Sequence, residues 1–564
     1  MKYKNLIILD RYDFNKVDDI NLDNFNYITV NSPNSLAGLD KKYYKKVIYV
    51  GYDKSKKIDN QWIEINKNRQ KILNKINQLD ANEAILEGFK NLLTPLISSY
   101  YYINLLFKTN CDNYFINNYK LIKLNSKNKD LIYQNILTIN SQIKLVRGKK
   151  LSQLFPYLIL FINKIIFILI KKKNYIYIQD KTYGFQNLIN EIKKNANKKY
   201  LFIRFASISE LNFLKSLSSL FKLIFLRNDD QITICVPIIF KQNLNNEEIK
   251  LTKVFKFLDK GFNNIMLKSL AKYIYYMKNY NINLTENVIK YINPSSSIFH
   301  NIKWDESVLV ASNLNNINVN VFLMSHSSHP FTKNRKSFFF LKDLSQGMLF
   351  SKYATYNVLQ SENALKSFRY FFPGKKNFLL SKPLMWGYKK SSKINKKNNL
   401  KILHAGTFKP FGFRPWIYEN SNTYFIRLKK LINVISEMPD TNLSIRRCEN
   451  FEFDNIAYDK LLNIKNYNNI NYSNDISFVD EMNLSDVLIS FSSTTIEEAL
   501  IMNKKVIILC DKVSHKHFPE SGNLKYLYYE DLNKKKLLKI IKSFNSNKIK
   551  SDYKFKPINM IRYF

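Results

Sequence analysis

A run of small hydroxyl residues followed by two glutamates is the segment best suited to chemistry. It follows an apolar stretch at residues 487–490, and it comprises Ser490, Ser492, Ser493, Thr494 and Thr495, with Glu497 and Glu498 after them. The pattern predicts a buried strand, a short loop and a helix whose first turn carries both glutamates. A helix N-terminus presents free N–H groups and a positive dipole end, which suit a pyrophosphate. Glutamates in that turn can accept hydrogen bonds from ribose hydroxyls.

The same residues also fit a purely structural explanation. Thr494 and Glu497 have the spacing of a capping box, in which two side chains close the start of a helix, and so do Thr495 and Glu498. A capping box needs no ligand. Both explanations therefore stay open on the sequence alone.

A second candidate for phosphate binding lies near residue 400. Residues 401–407 (KILHAGT) predict a strand ending in a turn, where the backbone N–H groups of Gly406 and Thr407 can face a phosphate. Lys409 and Arg414 follow the turn and can neutralise a phosphate charge. Glycine is also common at such turns for steric reasons alone.

An arginine ends one further predicted strand, and two histidines follow another. Arg446 ends a strand at 443–446 and could face a phosphate, although with Arg447 it also fits an ordinary surface pair. His326 and His329 directly follow an apolar strand at 318–324, at the strand end where open α/β sheets bind ligands. A histidine titrates near neutral pH and can remove a proton from a hydroxyl. The alternative is a loop histidine bonded to backbone.

The order of elements in residues 485–511 resembles the donor-binding motif of GT-B glycosyltransferases. In that motif a strand, a Ser/Thr loop, a helix carrying Glu-Ala and a Val-Ile strand follow one another, and here residues 492–500 and 505–507 match. The chain is most similar to transferases of surface-polysaccharide biosynthesis (capsule, lipopolysaccharide or teichoic-acid type), over residues 320–520. In related polyol-phosphate and capsule enzymes a His-Gly pair supplies the base, whereas Ser327 follows His326 in this sequence.

The resemblance implies a fold and a site. The fold is α/β of the GT-B type, with two Rossmann-like domains facing a cleft. The donor is a nucleotide-sugar that serves as co-substrate, with no other cofactor and no metal. The implied catalytic residues are His326 and His329, and the implied donor-binding residues are Gly406, Thr407, Lys409, Arg414, Arg446, Ser492, Ser493, Thr494, Thr495, Glu497 and Glu498.

The elements that must position these residues suggest two domains. Short apolar runs near residues 4–10, 27–31 and 46–51 predict strands, and residues from about 65 to 175 predict a helical insertion. The polar stretch 389–399 is the candidate linker. After it, strands and helices alternate regularly, which favours a parallel sheet. The predicted domains are an acceptor-side domain over 1–390 and a nucleotide-sugar domain over 398–564.

Composition limits the partners. The 564 residues carry a formal net charge of +43, almost all from lysines spread along the chain, which fits either solvated lysine faces or an anionic membrane surface. The chain shows no nucleic-acid-binding signature. Four well-separated cysteines favour a reducing cytoplasm, and the first ten residues predict a strand and not a signal peptide. The apolar segment 154–170 fits a buried helix, a helix on a membrane surface or a short span.

These features predict a metal-independent glycosyltransferase. It would move a sugar to a cell-surface polysaccharide or its lipid-linked precursor, and it would be cytoplasmic or peripheral on the inner face of the cytoplasmic membrane. Two alternatives remain. One is a transferase of CDP-linked glycerol or ribitol phosphate. The other is a non-catalytic, membrane-peripheral protein with a degenerate GT-B fold.

Overall fold

A computed structural model gives the fold of the chain. It describes residues 3–8, 21–30, 32–49, 67–91 in part, 113–117, 120–124, 155–171, 173–179, 185–195, 199–206, 210–226, 231–239, 264–303, 305–325, 335–385, 399–406, 420–448, 453–473, 476–510, 520 and 522–544. These residues form three sheets of five, seven and six strands.

The N-terminal sheet has the order β3-β2-β1-β4-β5. Its strands are β1 (Tyr3–Ile8), β2 (Phe25–Val30), β3 (Val47–Tyr49), β4 (Asn113–Asn117) and β5 (Lys120–Leu124). Only the β4–β5 pair is antiparallel. Helix α1 (Pro33–Gly38) follows β2, and 3-10 turns cover Leu22–Asn24 and Lys41–Lys46. The three strands predicted before residue 51 are present. The stretch predicted as a helical insertion is only partly helical, because β4 and β5 lie within it.

The central sheet is parallel throughout and has the order β12-β11-β10-β9-β6-β7-β8. Its strands are β6 (Asn174–Ile178), β7 (Tyr200–Ala206), β8 (Gln231–Cys235), β9 (Ser296–Phe299), β10 (Asn320–Met324), β11 (Tyr356–Leu359) and β12 (Phe378–Leu380). Its helices are α2 (Phe155–Ile170), α3 (Phe185–Asn195), α4 (Glu210–Phe221), α5 (Asn264–Asn287), α6 (Asp305–Asn316), α7 (Arg335–Ser345) and α8 (Glu362–Phe371), with a π turn at Lys222–Leu226 and a 3-10 turn at Ile289–Tyr291.

The C-terminal sheet is also parallel and has the order β15-β14-β13-β16-β17-β18. Its strands are β13 (Leu400–Ala405), β14 (Thr441–Arg446), β15 (Ile470–Tyr472), β16 (Val487–Ser490), β17 (Lys505–Cys510) and β18 (Leu524–Tyr528). Its helices are α9 (Ser421–Ser436), α10 (Asn455–Leu462), α11 (Phe478–Leu484), α12 (Thr495–Ile501) and α13 (Lys534–Ser543), with 3-10 turns at Ile464–Asn466 and Tyr529–Asp531.

Both parallel sheets are doubly wound. In each, the chain begins at an inner strand, adds two strands on one side and then returns to add the rest on the other side. The buried strands are apolar on both faces, as in β16, because helices cover both sides of the sheet. The predicted α/β class with two Rossmann-like domains is therefore confirmed, and the predicted linker at 389–399 lies almost wholly outside the described residues.

The first fifty residues pack against the C-terminal sheet. Phe25, Ile28 and Leu36 share one buried apolar cluster with Tyr424 of α9 and Tyr458 of α10. Asn422 Nδ2 donates to Val30 O at 3.2 Å, and Asp454 N donates to Asn34 Oδ1 at 3.1 Å. The sequence placed these strands with the N-terminal domain, whereas their described side chains contact the C-terminal one.

The apolar segment predicted at 154–170 forms helix α2. Its Asn163 is buried and donates from Nδ2 to Cys235 O at 2.8 Å, so this polar interruption anchors the helix to the end of β8. No helix in the described part of the chain is both long and apolar enough to cross a bilayer.

Candidate functional site

Three loops meet at the reversal point of the C-terminal sheet. We use this name for the place between β13 and β16 where the order of the parallel strands reverses. The chain enters this sheet at β13, whose neighbours are β14 and β16. Because all three strands are parallel, Arg446, Gly406 and the hydroxyl run after Ser490 leave the same edge of the sheet. The crevice at such a reversal is where open α/β sheets bind ligands. The structure thus brings three of the sequence-predicted segments together.

The hydroxyl run is fastened to the end of β13. Ser490 Oγ donates to Ala405 O at 2.6 Å, and Thr495 Oγ1 donates to the same oxygen at 3.4 Å. These bonds hold the start of α12 beside Gly406. Ser492 is buried, whereas Ser493 and Thr494 are half-buried.

The capping-box explanation fails for Thr494. Thr494 is the N-cap residue of α12, but it has helical backbone angles and its side chain makes no capping hydrogen bond. Thr495 is already the first helical residue, and its hydroxyl points to Ala405 O. Ser493 Oγ instead accepts from Thr495 N at 3.3 Å, so a hydroxyl caps the start of α12, but not through the Thr–Glu pairs that the spacing allowed.

Gly406 is required by a close approach of side chains. A Cβ at this position would lie 2.8 Å from the Tyr424 ring carbon Cε2 and 3.4 Å from the His404 ring. No side chain fits without moving the tyrosine. The steric reason for glycine at this turn is therefore present.

His404 and Tyr424, which the sequence analysis did not select, support the turn from beneath. His404 Nδ1 lies 2.9 Å from Ile489 O, and Nε2 lies 3.0 Å from the Tyr424 hydroxyl. A carbonyl oxygen can only accept, so Nδ1 carries the proton and Nε2 accepts from Tyr424 in the neutral ring. Complete burial lowers the pKa of His404 to about 4, despite the bond to Ile489 O. This histidine is structural.

Glu498 has an oxygen atom without a partner among the described residues. The residue is 4% exposed, and its Oε1 makes no hydrogen bond within the described structure. Burial raises the pKa of Glu498 to about 7; Arg446 acts in the opposite direction and Glu497 in the same direction. Buried carboxylate oxygens normally have a partner, so an unsatisfied one in this crevice needs an explanation.

Arg446 is fixed in place by a second glutamate. Its Nη1 donates to Glu481 Oε2 at 3.0 Å and to Ile476 O at 2.8 Å. Ser473 Oγ also donates to Glu481 Oε2, at 2.6 Å. The Arg446 side chain is about one-third exposed, so part of it remains accessible while Glu481 holds it. Sequence analysis did not select Glu481, because it lies in helix α11, 35 residues along the chain from Arg446.

Glu497 faces the central sheet. Its Oε2 accepts a hydrogen bond from Ser361 Oγ at 3.1 Å, and Ser361 also caps α8 by accepting from Ala364 N at 2.9 Å. Ile501, at the other end of α12, packs against a buried cluster of the central sheet. Helix α12 therefore lies between the two parallel sheets, and the two adjacent glutamates have different surroundings.

Five predicted site residues lie outside the described residues: His326, His329, Thr407, Lys409 and Arg414. The strand that leads to the histidines is well anchored. Gln360 Nε2 donates to Ser325 O at 2.5 Å, while its Oε1 accepts from Leu384 N and Met385 N at 2.8 and 2.9 Å. Within the described residues no cluster of His, Cys, Asp or Glu could hold a metal ion.

No protein-family model matches the sequence, and no curated protein matches it. Among solved structures, the chain is similar to a putative UDP-N-acetylglucosamine 2-epimerase from Listeria monocytogenes, at 14% identity and a TM-score of 0.40 over 66% of this chain and 89% of that one. It is similar to MurG from Acinetobacter baumannii at 9% identity and 0.37 over 69% and 97%, and to a glycosyltransferase from Rickettsia africae at 14% and 0.35 over 66% and 89%. Similarity at this level carries no conclusion about activity.

The central sheet reverses direction too, but a side chain fills that point. Gln179, just after β6, accepts from His300 N and Asn301 N through Oε1 at 3.0 and 3.1 Å. Its Nε2 donates to Asn301 O at 2.8 Å. One side-chain amide thus makes three hydrogen bonds to backbone groups of the loop after β9. Both polar atoms of Gln179 are thus bonded to the protein, whereas Glu498 Oε1 at the other point has no partner in the described part of the chain.

Proposed function

We propose that the chain is a metal-independent glycosyltransferase whose C-terminal domain binds a nucleotide-sugar donor. The supporting observation is Glu498, a buried carboxyl whose Oε1 lacks a partner in the described structure. The charge of Arg446 lowers the pKa of this carboxyl. A ligand that offers both hydroxyl groups and phosphate charge would complement this pair. Nucleotide-sugars carry both.

In the proposed site each group has one role. Glu498 accepts a hydrogen bond from a hydroxyl of the donor, and Arg446 faces the diphosphate. Gly406 keeps side chains away from the turn, so that backbone N–H groups can approach a phosphate. Fixed cations and dipoles of this kind stabilise a departing diphosphate without a metal. Thr407, Lys409 and Arg414 follow the same turn and are proposed to add to the phosphate contacts.

The proposed reaction transfers the sugar from the donor phosphate to a hydroxyl of the acceptor. The oxygen of an acceptor hydroxyl bonds to the anomeric carbon, while the bond from that carbon to the donor phosphate breaks. The electron pair leaves with the nucleoside diphosphate, and the hydroxyl proton passes to a base. His326 or His329 is the proposed base, since both follow β10 in the sequence. The acceptor is proposed to be a surface polysaccharide or its lipid-linked precursor.

A thermal-shift screen against UDP, GDP, CDP, CMP, TDP and their sugar conjugates tests the donor site. A ligand at 100 times its Kd should stabilise the fold by about 2.7 kcal/mol. A shift with one nucleotide-sugar family supports the proposal. A shift with CDP-glycerol or CDP-ribitol alone would indicate a polyol-phosphate transferase. No shift with any ligand would favour the non-catalytic protein.

Glu498→Gln then tests the residue that carries the proposal. The amide keeps the shape of the side chain but presents a weaker acceptor, so we expect donor affinity to fall at least about tenfold, which is about 1.4 kcal/mol. Titration calorimetry with the donor found in the screen measures the change. Glu437→Gln, on the exposed end of α9, is the matched control. Unchanged affinity in Glu498→Gln would contradict the assignment.

A further inference from the structure

Helix α4 is oriented with its apolar side outward. Leu214, Leu217 and Phe221 are exposed, at 59%, 43% and 56%, whereas Ser216 and Ser219 are buried. Ser219 Oγ accepts from Thr233 N of β8 at 3.0 Å and donates to Lys215 O at 2.8 Å. A helix on a water-exposed surface normally buries its apolar stripe. Here Ser216 and Ser219 face the sheet and Leu220 packs against the core, while Leu214, Leu217 and Phe221 face away.

Helix α2 adds a second apolar stripe. Tyr157, Phe161 and Ile168 are exposed at 59%, 62% and 74%, while the opposite stripe, which includes Ile162 and Ile166, is buried. The exposed residues are spaced so that they share one side of the helix. Unlike α4, this helix is apolar on both sides, and only one side is used by the core.

The two stripes belong to one surface. Helices α2 and α4 contact each other, and both pack on β8, the edge strand of the central sheet. Ile224, in the π turn after α4, is exposed as well. The apolar face consists of Tyr157, Leu158, Phe161, Ile168, Leu169, Leu214, Leu217, Phe221 and Ile224. Contiguous exposed apolar patches on this scale mark interaction surfaces.

The charged side chains described on and beside the apolar face are lysines. Lys164 and Lys215 are exposed within it, and Lys171 and Lys173 are exposed at the end of α2. Helix α2 contains no acidic residue, and the one acidic residue of α4 is Glu210, at its first position. A lysine-rimmed apolar face complements a surface that has apolar depth and negative headgroups. A protein partner would need a matching acidic rim, whereas an anionic bilayer supplies both features at once.

We propose that the apolar face of α2 and α4 inserts into the headgroup region of an anionic lipid bilayer. The side chains of the face would enter the interface, and the four lysines would pair with lipid phosphates. The chain would thus lie on the membrane, anchored by two helices packed on one sheet. This surface is separate from the proposed donor site, since it lies on the edge strand of the other parallel sheet.

Vesicle co-sedimentation of the full chain tests the proposal. We expect binding to vesicles of phosphatidylcholine mixed with phosphatidylglycerol, weaker binding at high salt, and little binding to phosphatidylcholine alone. The triple variant Phe161→Ser, Leu217→Ser and Phe221→Ser should bind at least about tenfold more weakly. Ile456→Ser with Leu484→Ser removes comparably exposed apolar side chains elsewhere and should bind like the unaltered chain.

Two outcomes would overturn the proposal. Absence of binding to the anionic vesicles by the unaltered chain is one. The other is equal vesicle binding by the triple variant and the unaltered chain. If sedimentation velocity instead shows a dimer that the triple variant dissociates, and no vesicle binding, the face is an interface between copies. Nucleotide thermal shifts on the same samples separate a failure of this proposal from a failure of the donor site.

Discussion

The reversal points of the two parallel sheets occupy the same place in the same topology, but their side chains differ. At the central sheet, Gln179 satisfies the backbone of the loop after β9 with three hydrogen bonds. At the C-terminal sheet, Gly406 removes a side chain, and Glu498 keeps an oxygen without a partner in the described structure. Topology therefore marks where a ligand can bind, and the side chains decide whether the place is left open.

Acid unfolding tests the role of His404, which supports the turn at Gly406 in the C-terminal sheet. The pKa of His404 is about 4 in the folded chain, against 6.5 for an ordinary histidine, because the ring is fully buried. As the pH falls, this histidine is protonated in the unfolded chain before it is protonated in the folded one. The stability contributed by neutral His404 is therefore complete above pH 6.5 and is lost as the pH falls towards 4. The loss amounts to about 3 kcal/mol. His404→Gln should remove this part of the slope.

Urea unfolding of both proteins between pH 4 and 7 measures that slope. Other titrating groups are common to the two proteins and cancel in the difference. The variant is expected to be less stable at pH 7, because it loses the paired bonds to Ile489 O and Tyr424. A parallel pair of pH curves would show that His404 is not buried in its neutral form.

Glu498 should change stability in the opposite direction along the pH scale. Its pKa is about 7 in the folded chain, against 4.5 for an ordinary glutamate, because burial disfavours the charged form. The carboxyl therefore costs nothing below pH 4.5, and stability falls as the pH rises from there through 7. That pKa already includes the opposing effect of Arg446, so we expect a loss of about 3 kcal/mol by pH 8.

Glu498→Gln removes this cost, so the variant should become more stable than the unaltered chain above pH 7 while it loses donor affinity. Thermal unfolding at pH 5 and pH 8, with Glu437→Gln as the control, measures the crossover. Increased stability with lost binding is the behaviour of a functional residue. A variant that is less stable at both pH values would indicate that Glu498 has a structural partner instead.

The sequence predicted the parallel sheets because their strands are apolar runs separated by regular helical patterns. It also selected the hydroxyl run, since a strand followed by Ser and Thr residues is a local signal. It missed Gln179, Glu481, Ser361 and Tyr424, whose partners lie far away along the chain, as with Ser361 and Glu497. Strands β4 and β5 of the N-terminal sheet were missed because they lie in a region without clear periodicity, whereas β1, β2 and β3 were predicted.

The outward apolar stripe of α4 was missed for a related reason. Periodicity shows that a helix has two unlike sides, but it does not say which side meets the sheet. Ser216 and Ser219 look like the solvent side in the sequence, and only their burial beneath α4 reverses that assignment. Rules that place apolar residues inside fail where a protein uses them to meet an apolar partner.

Gln179→Ala tests the closed reversal point. The change removes three hydrogen bonds and leaves two N–H groups of the β9 loop without their acceptor. Since Gln179 is only half-buried, water replaces part of the loss, and we expect a destabilisation of about 1 to 2 kcal/mol. Nucleotide affinity should not change, because the side chain serves only its own sheet. Gln179→Glu is a useful companion, since its carboxylate can still accept from both N–H groups but cannot donate to Asn301 O. A loss of donor affinity in Gln179→Ala, at temperatures where it stays folded, would mean that both reversal points bind the ligand and that the contrast between them is wrong.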